Sequence, residues 1–135
     1  MANAFVEANS SAYYEKSREI YKKGRDELLT YINSCGLDLK FWVPQSGYFV
    51  LCDFENVEFD QRYENFNSEK KDFSKMDKYS KDYAFALWLG MTRKTVGVPV
   101  SVFYSAENKE KAKNYIRFAC CKTPEYFKPL GLNLK

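Results

Sequence analysis

The feature that most constrains the fold is an apolar run near the end of the chain, YIRFACC at residues 115–121, which contains one arginine. Its branched and aromatic side chains favour a β-strand, in which successive residues point to opposite faces. Arg117 lies between Ile116 and Phe118, and its guanidinium stays protonated in a protein, so it must reach water, a carboxylate or another acceptor. The fold therefore has to place a charge within an otherwise buried strand.

The residues that share a face with Arg117 indicate what this charge can bind. On a strand they are Tyr115, Ala119 and Cys121. The small side chains leave room for a planar anion, and a guanidinium can donate two parallel hydrogen bonds to a carboxylate. Two other interpretations stay open: Arg117 lies on the solvent face of an edge strand, or it pairs with an Asp or Glu of a loop.

A long amphipathic helix is predicted for residues 13–32. Its apolar side chains recur every three or four residues, with charged residues between them. Gly24 in its middle costs about 1 kcal/mol relative to alanine, which indicates either a close helix crossing or a tolerated weak point. Gly36 is the predicted stop.

Two apolar runs follow, separated by the turn residues 44–47, and they predict a hairpin or a tight corner between strands. The second run is apolar on both faces, so we expect a strand buried on both sides. Residues 55–81 are rich in charged side chains and lose the periodicity. They predict a long surface loop, with a role as an interaction segment or a lid.

The remaining segments complete the pattern. DYAFALWLGM at residues 82–91 has a helical stripe, VGVPVSVFYS at 96–105 is strand-like with Pro99 favouring an edge strand, and residues 106–115 form a polar connector. Together with YIRFACC, this order predicts one α+β domain over residues 1–135. We expect a small, mostly antiparallel sheet packed by helices and led by the long N-terminal helix.

Composition excludes several classes of function. The 135 residues are 45% hydrophobic, and the net charge of +3 comes from interspersed signs, so nucleic acid is not an expected partner. There is no histidine, and the four cysteines lack C-x-x-C spacing, so neither a metal site nor a Cys–His nucleophile is expected. Reduced thiols predict an intracellular protein, cytoplasmic or mitochondrial, and no apolar run is long enough to span a membrane.

Four blocks carry a resemblance to a known family: VPQSGYFVLCDF, DYAFALWL, VGVPVSVFYS and YIRFACCK. In this order and spacing they resemble the C-terminal small domain of fold-type-I, pyridoxal-phosphate-dependent aminotransferases. The likeness is closest to the kynurenine aminotransferases, also called glutamine transaminase K or cysteine-S-conjugate β-lyase, and covers about residues 3–122. The N-terminal helix is similar to the one that links the large and small domains of that family.

The resemblance implies roles for particular residues. The arginine of the family's I-R-F block binds the substrate α-carboxylate, and Arg117 has the matching position. Gln45, Ser46, Gly47 and Tyr48 match a loop that approaches the substrate, and Phe103 and Tyr104 are weaker candidates. Two segments depart from the family: residues 55–81 match no motif, and a proline-broken tail at 123–135 replaces a longer amphipathic ending.

The resemblance also implies that the cofactor machinery lies elsewhere. The Schiff-base lysine and the phosphate cup belong to the family's large domain, which precedes the matched region. We therefore expect no catalytic residue and no cofactor in this chain alone, and pyridoxal phosphate if a large domain on another polypeptide completes the site. The expected function is the small domain of an enzyme that transfers an amino group between an amino acid and a 2-oxo acid. The alternative is a non-catalytic remnant that serves as a structural subunit of a larger assembly.

Overall fold

Two helices and four short strands form the part of the chain that the computed structural model describes, residues 11–66 and 78–122. The elements in chain order are α1 (Ser11–Ser34), β1 (Lys40–Trp42), β2 (Phe49–Asp53), α2 (Lys81–Trp88), β3 (Val98–Pro99) and β4 (Tyr115–Ala119). Short 3₁₀ helices lie at Gln61–Asn65, Ser101–Phe103 and Ala106–Ala112, and a π-helical turn at Leu89–Arg93 extends α2. The α+β class and the leading helix are confirmed. No helix among these residues is both long and apolar enough to cross a membrane.

The sheet has the order β1-β2-β4-β3, and all its neighbours are antiparallel. β4 lies inside the sheet, where Arg117 pairs with Leu51 of β2 on one side and with Val98 of β3 on the other. The interpretation of Arg117 as an edge-strand residue is therefore wrong. Pro99 lies in the outer strand β3, as its missing N–H group requires.

One face of the sheet is closed by the helices. Val50 and Cys52 of β2 and Ile116 and Phe118 of β4 point to this side and are buried. They form one apolar cluster with side chains of both helices, among them Leu28, Tyr31, Ile32, Phe85 and Leu89. This burial of alternate residues is the main stabilising interaction of the domain.

The other face is open, and it is apolar as well. We call it the open face; it carries Trp42, Phe49, Leu51, Tyr115 and Arg117, which the strand register places on one side. Phe49 and Leu51 are each 38% exposed. The sequence predicts that β2 is buried on both sides. This is wrong for the described residues, because both helices pack on the same side of the sheet.

Gly24 lies where α1 passes the end of β4. A Cβ at this position would be 2.5 Å from the Cys120 carbonyl oxygen and 2.6 Å from that of Lys122. The close approach is to the chain that follows β4 and not to a second helix, so Gly24 is neither a helix crossing nor a tolerated weak point. Gly36 has φ of +71° just after the end of α1, as expected for a glycine that ends a helix.

The first part of the predicted loop contributes to the core. Val57 and Phe66 of the loop are buried, and so is Phe54 just before it, whose ring stacks on Phe85 with 4.0 Å between the ring centroids. Charged residues dominate the composition of this segment, so a prediction from composition misses the apolar side chains that are spaced between them. Residues 67–77 lie outside the described residues.

The predicted strand over residues 96–105 is shorter than expected. Only Val98–Pro99 pair with β4, and the chain then turns into the 3₁₀ helix Ser101–Phe103. The fully buried Asp82 carboxylate accepts hydrogen bonds from the Ser101 backbone N–H at 2.7 Å and from its hydroxyl at 2.9 Å. These bonds hold the backbone of Ser101 against α2, so β3 cannot continue.

All four cysteines are free thiols, and three of them are buried: Cys35, Cys52 and Cys120. Burial raises the pKa of the Cys52 thiol to about 12 and also raises the pKa of Cys120. Since the thiolate is the reactive form, these groups stay protonated and inert at neutral pH. Cys121 is exposed.

Gly24→Ala is expected to destabilise the fold by about 1–3 kcal/mol, because the new methyl group would overlap two backbone oxygens that cannot move independently. Gly90→Ala is the matched control, since nothing lies within 4 Å of a Cβ there. We expect the control to stay within about 1 kcal/mol of the original chain. Urea unfolding measures both; equal midpoints for the two variants would contradict the close approach.

Thiol titration with a chromogenic aromatic disulfide at about pH 8 is expected to show one fast-reacting thiol, Cys121, in the native chain, and all four in denaturant. The three buried thiols should react only at the rate at which the fold opens. Cys121→Ser should remove the fast phase. A fast phase that survives this change would contradict the burial of the other three.

Candidate functional site

The Arg117 side chain lies on the open face, between two aromatic rings. Its Cζ is 4.1 Å from the ring centroid of Phe49, on the adjacent strand β2, and 3.9 Å from that of Phe103, in the 3₁₀ helix after β3. At these distances both rings attract the cation through their π-systems. A ring cannot accept the paired hydrogen bonds that a guanidinium can donate, so the N–H donors of Arg117 remain available to a partner.

The guanidinium has no polar partner among the described residues. Its Nε is buried and lacks a hydrogen-bond acceptor, and no hydrogen bond or ion pair there involves Arg117. The interpretation that it pairs with a loop carboxylate finds no support in this part of the chain. Because an unsatisfied buried donor costs about 1–3 kcal/mol, the arrangement suits an acceptor that comes from outside the domain.

Apolar side chains surround the guanidinium on the open face and near it. The Trp42 and Tyr115 rings lie 6.1 Å apart. The exposed apolar residues of this region are Trp42, Val43, Phe49, Leu51, Val102 and Phe103. A surface of this composition lowers the local dielectric once something covers it, and an ion pair at Arg117 would then be stronger than in water.

The predicted loop residues Ser46, Gly47 and Tyr48 lie at the helix side of the sheet. Gly47 has φ of +84°, which explains a glycine in this turn. The Tyr48 carbonyl accepts a hydrogen bond from the Cys120 N–H at 2.8 Å, and its ring packs edge-on against Tyr21 of α1.

These three residues line a groove of about 510 Å³ together with basic side chains of α1, Arg18, Lys22 and Arg25; Arg117 does not line it. The structure therefore brings Phe103 to Arg117 and does not bring the loop side chains there. Their proximity to substrate stays a prediction. Tyr104 is exposed.

Phe49 is the site residue that sequence reasoning missed. An aromatic residue in a strand is more often part of a core, and the run GYFVL offers apolar side chains to both faces. The signal that identifies it is pairwise: Leu51 is opposite Arg117, so Phe49 lies on the same face two residues along β2.

The donor set of the site fits an organic carboxylate and does not fit pyridoxal phosphate. One guanidinium between rings matches a planar anion. The lysine on the open face, Lys40, lies in the outer strand β1 and pairs in register with Asp53, away from the Arg117 register position. No residue described at this site is placed to hold the cofactor, so a bound cofactor would require groups from elsewhere.

Comparison with known proteins agrees with this fold. No protein-family model matches the chain. It is 29% identical over 112 residues to kynurenine–oxoglutarate transaminase 1 of Rattus norvegicus, covering 83% of this chain and 24% of the relative. It is also 29% identical over 134 residues to the "probable kynurenine–oxoglutarate transaminase BNA3" of Saccharomyces cerevisiae, covering 99% of this chain and 28% of the relative. The crystal structure of Bna3p superimposes with a TM-score of 0.75 at 27% identity, over 99% of this chain and 29% of that one.

An open antiparallel sheet with helices on one side, led by a long helix, is here the fold of an aminotransferase domain. Within that class, the chain is related to the kynurenine–oxoglutarate transaminases and corresponds to the small domain of an enzyme of this type. The resemblance noted in the sequence is thus confirmed. The chain spans about a quarter of the length of these relatives.

Arg117→Met is expected to leave the free energy of unfolding within about 1 kcal/mol of the original chain, or to raise it. Methionine fills the space between the rings and removes an unsatisfied buried donor. Arg25→Met is the matched control, because the Arg25 guanidinium donates to the Pro44 carbonyl at 3.1 Å and to Asp26.

Arg25→Met should lower the free energy of unfolding by about 1 kcal/mol, the usual contribution of such hydrogen bonds. Guanidinium chloride unfolding compares the two variants. A large loss of stability from Arg117→Met, exceeding that of the control, would show that Arg117 serves the fold and not a ligand.

Proposed function

We propose that this chain supplies the carboxylate-binding half of a kynurenine-type aminotransferase site, with Arg117 as the group that binds the substrate. The observation that carries the proposal is the Arg117 guanidinium, stacked between Phe49 and Phe103 with a buried, unsatisfied Nε. Its relatives named as kynurenine–oxoglutarate transaminases support an amino acid and a 2-oxo acid as the substrates. Both carry the carboxylate that this group would accept.

The role of the chain's own residues follows from this geometry. Arg117 donates two parallel hydrogen bonds to the substrate carboxylate, and the rings of Phe49 and Phe103 keep the plane of its fork fixed. Fixing one end of the substrate restricts the orientation of its Cα–H bond, which lowers the entropic part of the barrier. Pyridoxal phosphate, when bound by other residues, supplies the electron sink for the amino-group transfer.

We also propose that a cofactor-binding large domain is the partner that covers the open face. Trp42, Phe49 and Leu51 are exposed apolar side chains on the same face of the sheet as Arg117. Apolar patches of this kind mark interaction sites. The length of the relatives, of which this chain spans about a quarter, supports an aminotransferase large domain as the occupant.

The alternative, a non-catalytic structural subunit, receives no support from the comparisons. A remnant selected only for packing has no reason to retain an unsatisfied guanidinium beside two exposed rings, since such a group costs stability. We therefore pursue the catalytic-domain proposal alone.

Titration of the full chain, labelled with ¹⁵N-arginine, with 2-oxoglutarate tests the proposal. The Arg117 Nε–Hε resonance is expected to shift and saturate at millimolar concentration, because half a site gives weak binding. Arg117→Lys should lower the affinity for 2-oxoglutarate about tenfold or more, since an ammonium cannot make the paired hydrogen bonds.

The dimethyl ester of 2-oxoglutarate is the control ligand, since it has the same skeleton without the charges. Shifts confined to Arg18 and Arg25 of the α1 groove, with Arg117 unmoved, would overturn the assignment.

A further inference from the structure

The buried carboxylate of Asp82 takes no part in the proposed binding of substrate, although it is fully inaccessible to solvent. It lies in the first turn of α2 and accepts three hydrogen bonds. The donors are the Ser101 backbone N–H at 2.7 Å, the Ser101 hydroxyl at 2.9 Å and the Tyr83 backbone N–H at 3.0 Å. Two of the three come from one residue, 19 positions along the chain. Bonds to an ionised acceptor are stronger than neutral ones, so this contact fixes Ser101 firmly.

Ser101 begins the 3₁₀ helix that carries the Phe103 ring to Arg117. The turn is closed by backbone bonds from Phe103 N–H to the Val100 carbonyl and from Tyr104 N–H to the Ser101 carbonyl, both 3.1 Å. Phe103 itself is 58% exposed. A ring so exposed is not held by packing of its own, so its place over the guanidinium depends on where the backbone of the turn is anchored.

We propose that Asp82 is a positioning residue: through Ser101 it sets the turn that holds the Phe103 ring on Arg117 and thereby sets the affinity of Arg117 for a carboxylate. The effect on carboxylate affinity rests on the proposed function, whereas the position of the Phe103 ring does not. Without the anchor, the turn relaxes toward the extended conformation that its β-branched and aromatic residues favour. The guanidinium then loses one of its two stacked rings and samples more orientations.

The two donors of Ser101 explain why a carboxylate is buried here. A neutral acceptor would satisfy one donor of Ser101 well, but the two oxygens of a carboxylate accept from its N–H and its hydroxyl at once. Asp82→Asn replaces one of these oxygens by an NH₂ group, so one of the two backbone N–H donors, that of Ser101 or that of Tyr83, loses its acceptor, and the remaining bonds lose the charge of the carboxylate. The substitution keeps the shape of the side chain and weakens the anchor.

Two readouts on the full chain separate positioning from simple stability. The first is the Arg117 Hε chemical shift without ligand, because stacked rings shift it by their ring currents. The second is the dissociation constant for 2-oxoglutarate from the Arg117 resonance. Tyr31→Phe is the matched control: it removes the buried hydrogen bond of 2.8 Å between the Tyr31 and Thr95 hydroxyls, on the helix side of the sheet.

We expect Asp82→Asn to move the Arg117 Hε resonance toward its unstacked position and to weaken 2-oxoglutarate binding about fivefold, the value of one cation–π contact. Tyr31→Phe should lower the denaturation midpoint and change neither readout. Ser101→Ala retains the hydrogen bond from the backbone N–H to Asp82 and should give a smaller effect in the same direction. This variant replaces Asp82→Asn in the test if Asp82→Asn does not fold. In the Phe103→Leu background, Asp82→Asn should weaken binding no further.

An Arg117 Hε shift unchanged by Asp82→Asn, or additive losses of affinity in the double variant, would overturn the proposal. The outcomes also separate it from the proposed function. If Asp82→Asn moves the Hε resonance while the original chain binds no 2-oxoglutarate, the positioning of the ring stands, and its effect on affinity and the carboxylate role of Arg117 are both refuted.

Discussion

The stacking of the Arg117 guanidinium between Phe49 and Phe103 is the interaction that the rest of this structure serves. Each partner comes from a different segment: Arg117 from the inner strand β4, Phe49 from β2, and Phe103 from the turn after β3. The two rings therefore contact the Arg117 guanidinium only if β2, β3 and β4 pair in the correct register. The core on the helix side provides that register, because alternate residues of β2 and β4 are buried there.

The two faces of the sheet have different physical tasks. The helix side is complete: its apolar residues form one cluster, and α1 approaches the end of β4 so closely that only glycine fits at position 24. The open face has exposed apolar side chains and an unsatisfied donor. Both features cost free energy in the isolated domain, and the proposed partner surface and carboxylate ligand would relieve both costs. Sites that bind ligands often show this local loss of stability.

Much of this arrangement can be predicted from the sequence. The two-residue alternation around Arg117 places it on a face with small neighbours. The carboxylate-binding role that the I-R-F block implies for this position stays a prediction. Gly24 indicates a close approach. The long helix, the hairpin and the antiparallel sheet follow from periodicity and turn residues.

The rest depends on contacts between residues far apart in the sequence. Residues 96–105 have the composition of a strand, yet a hydrogen bond from Ser101 to Asp82 ends the strand after Pro99 and so brings Phe103 to Arg117. Phe49 alternates like a core residue, and only the pairing of Leu51 with Arg117 shows that it lies at the site. The apolar pattern of β2 predicts burial on both faces, but among the described residues only the helix side of this strand is covered.

The crystal structure of the full chain with 2-oxoglutarate would test the central claim most directly. The account predicts a ligand carboxylate in the plane of the Arg117 fork, within hydrogen-bond distance of two guanidinium nitrogens, with the Phe49 and Phe103 rings still on either side. A guanidinium turned away from both rings and paired with a carboxylate of the chain itself, with the ligand bound elsewhere, would contradict it.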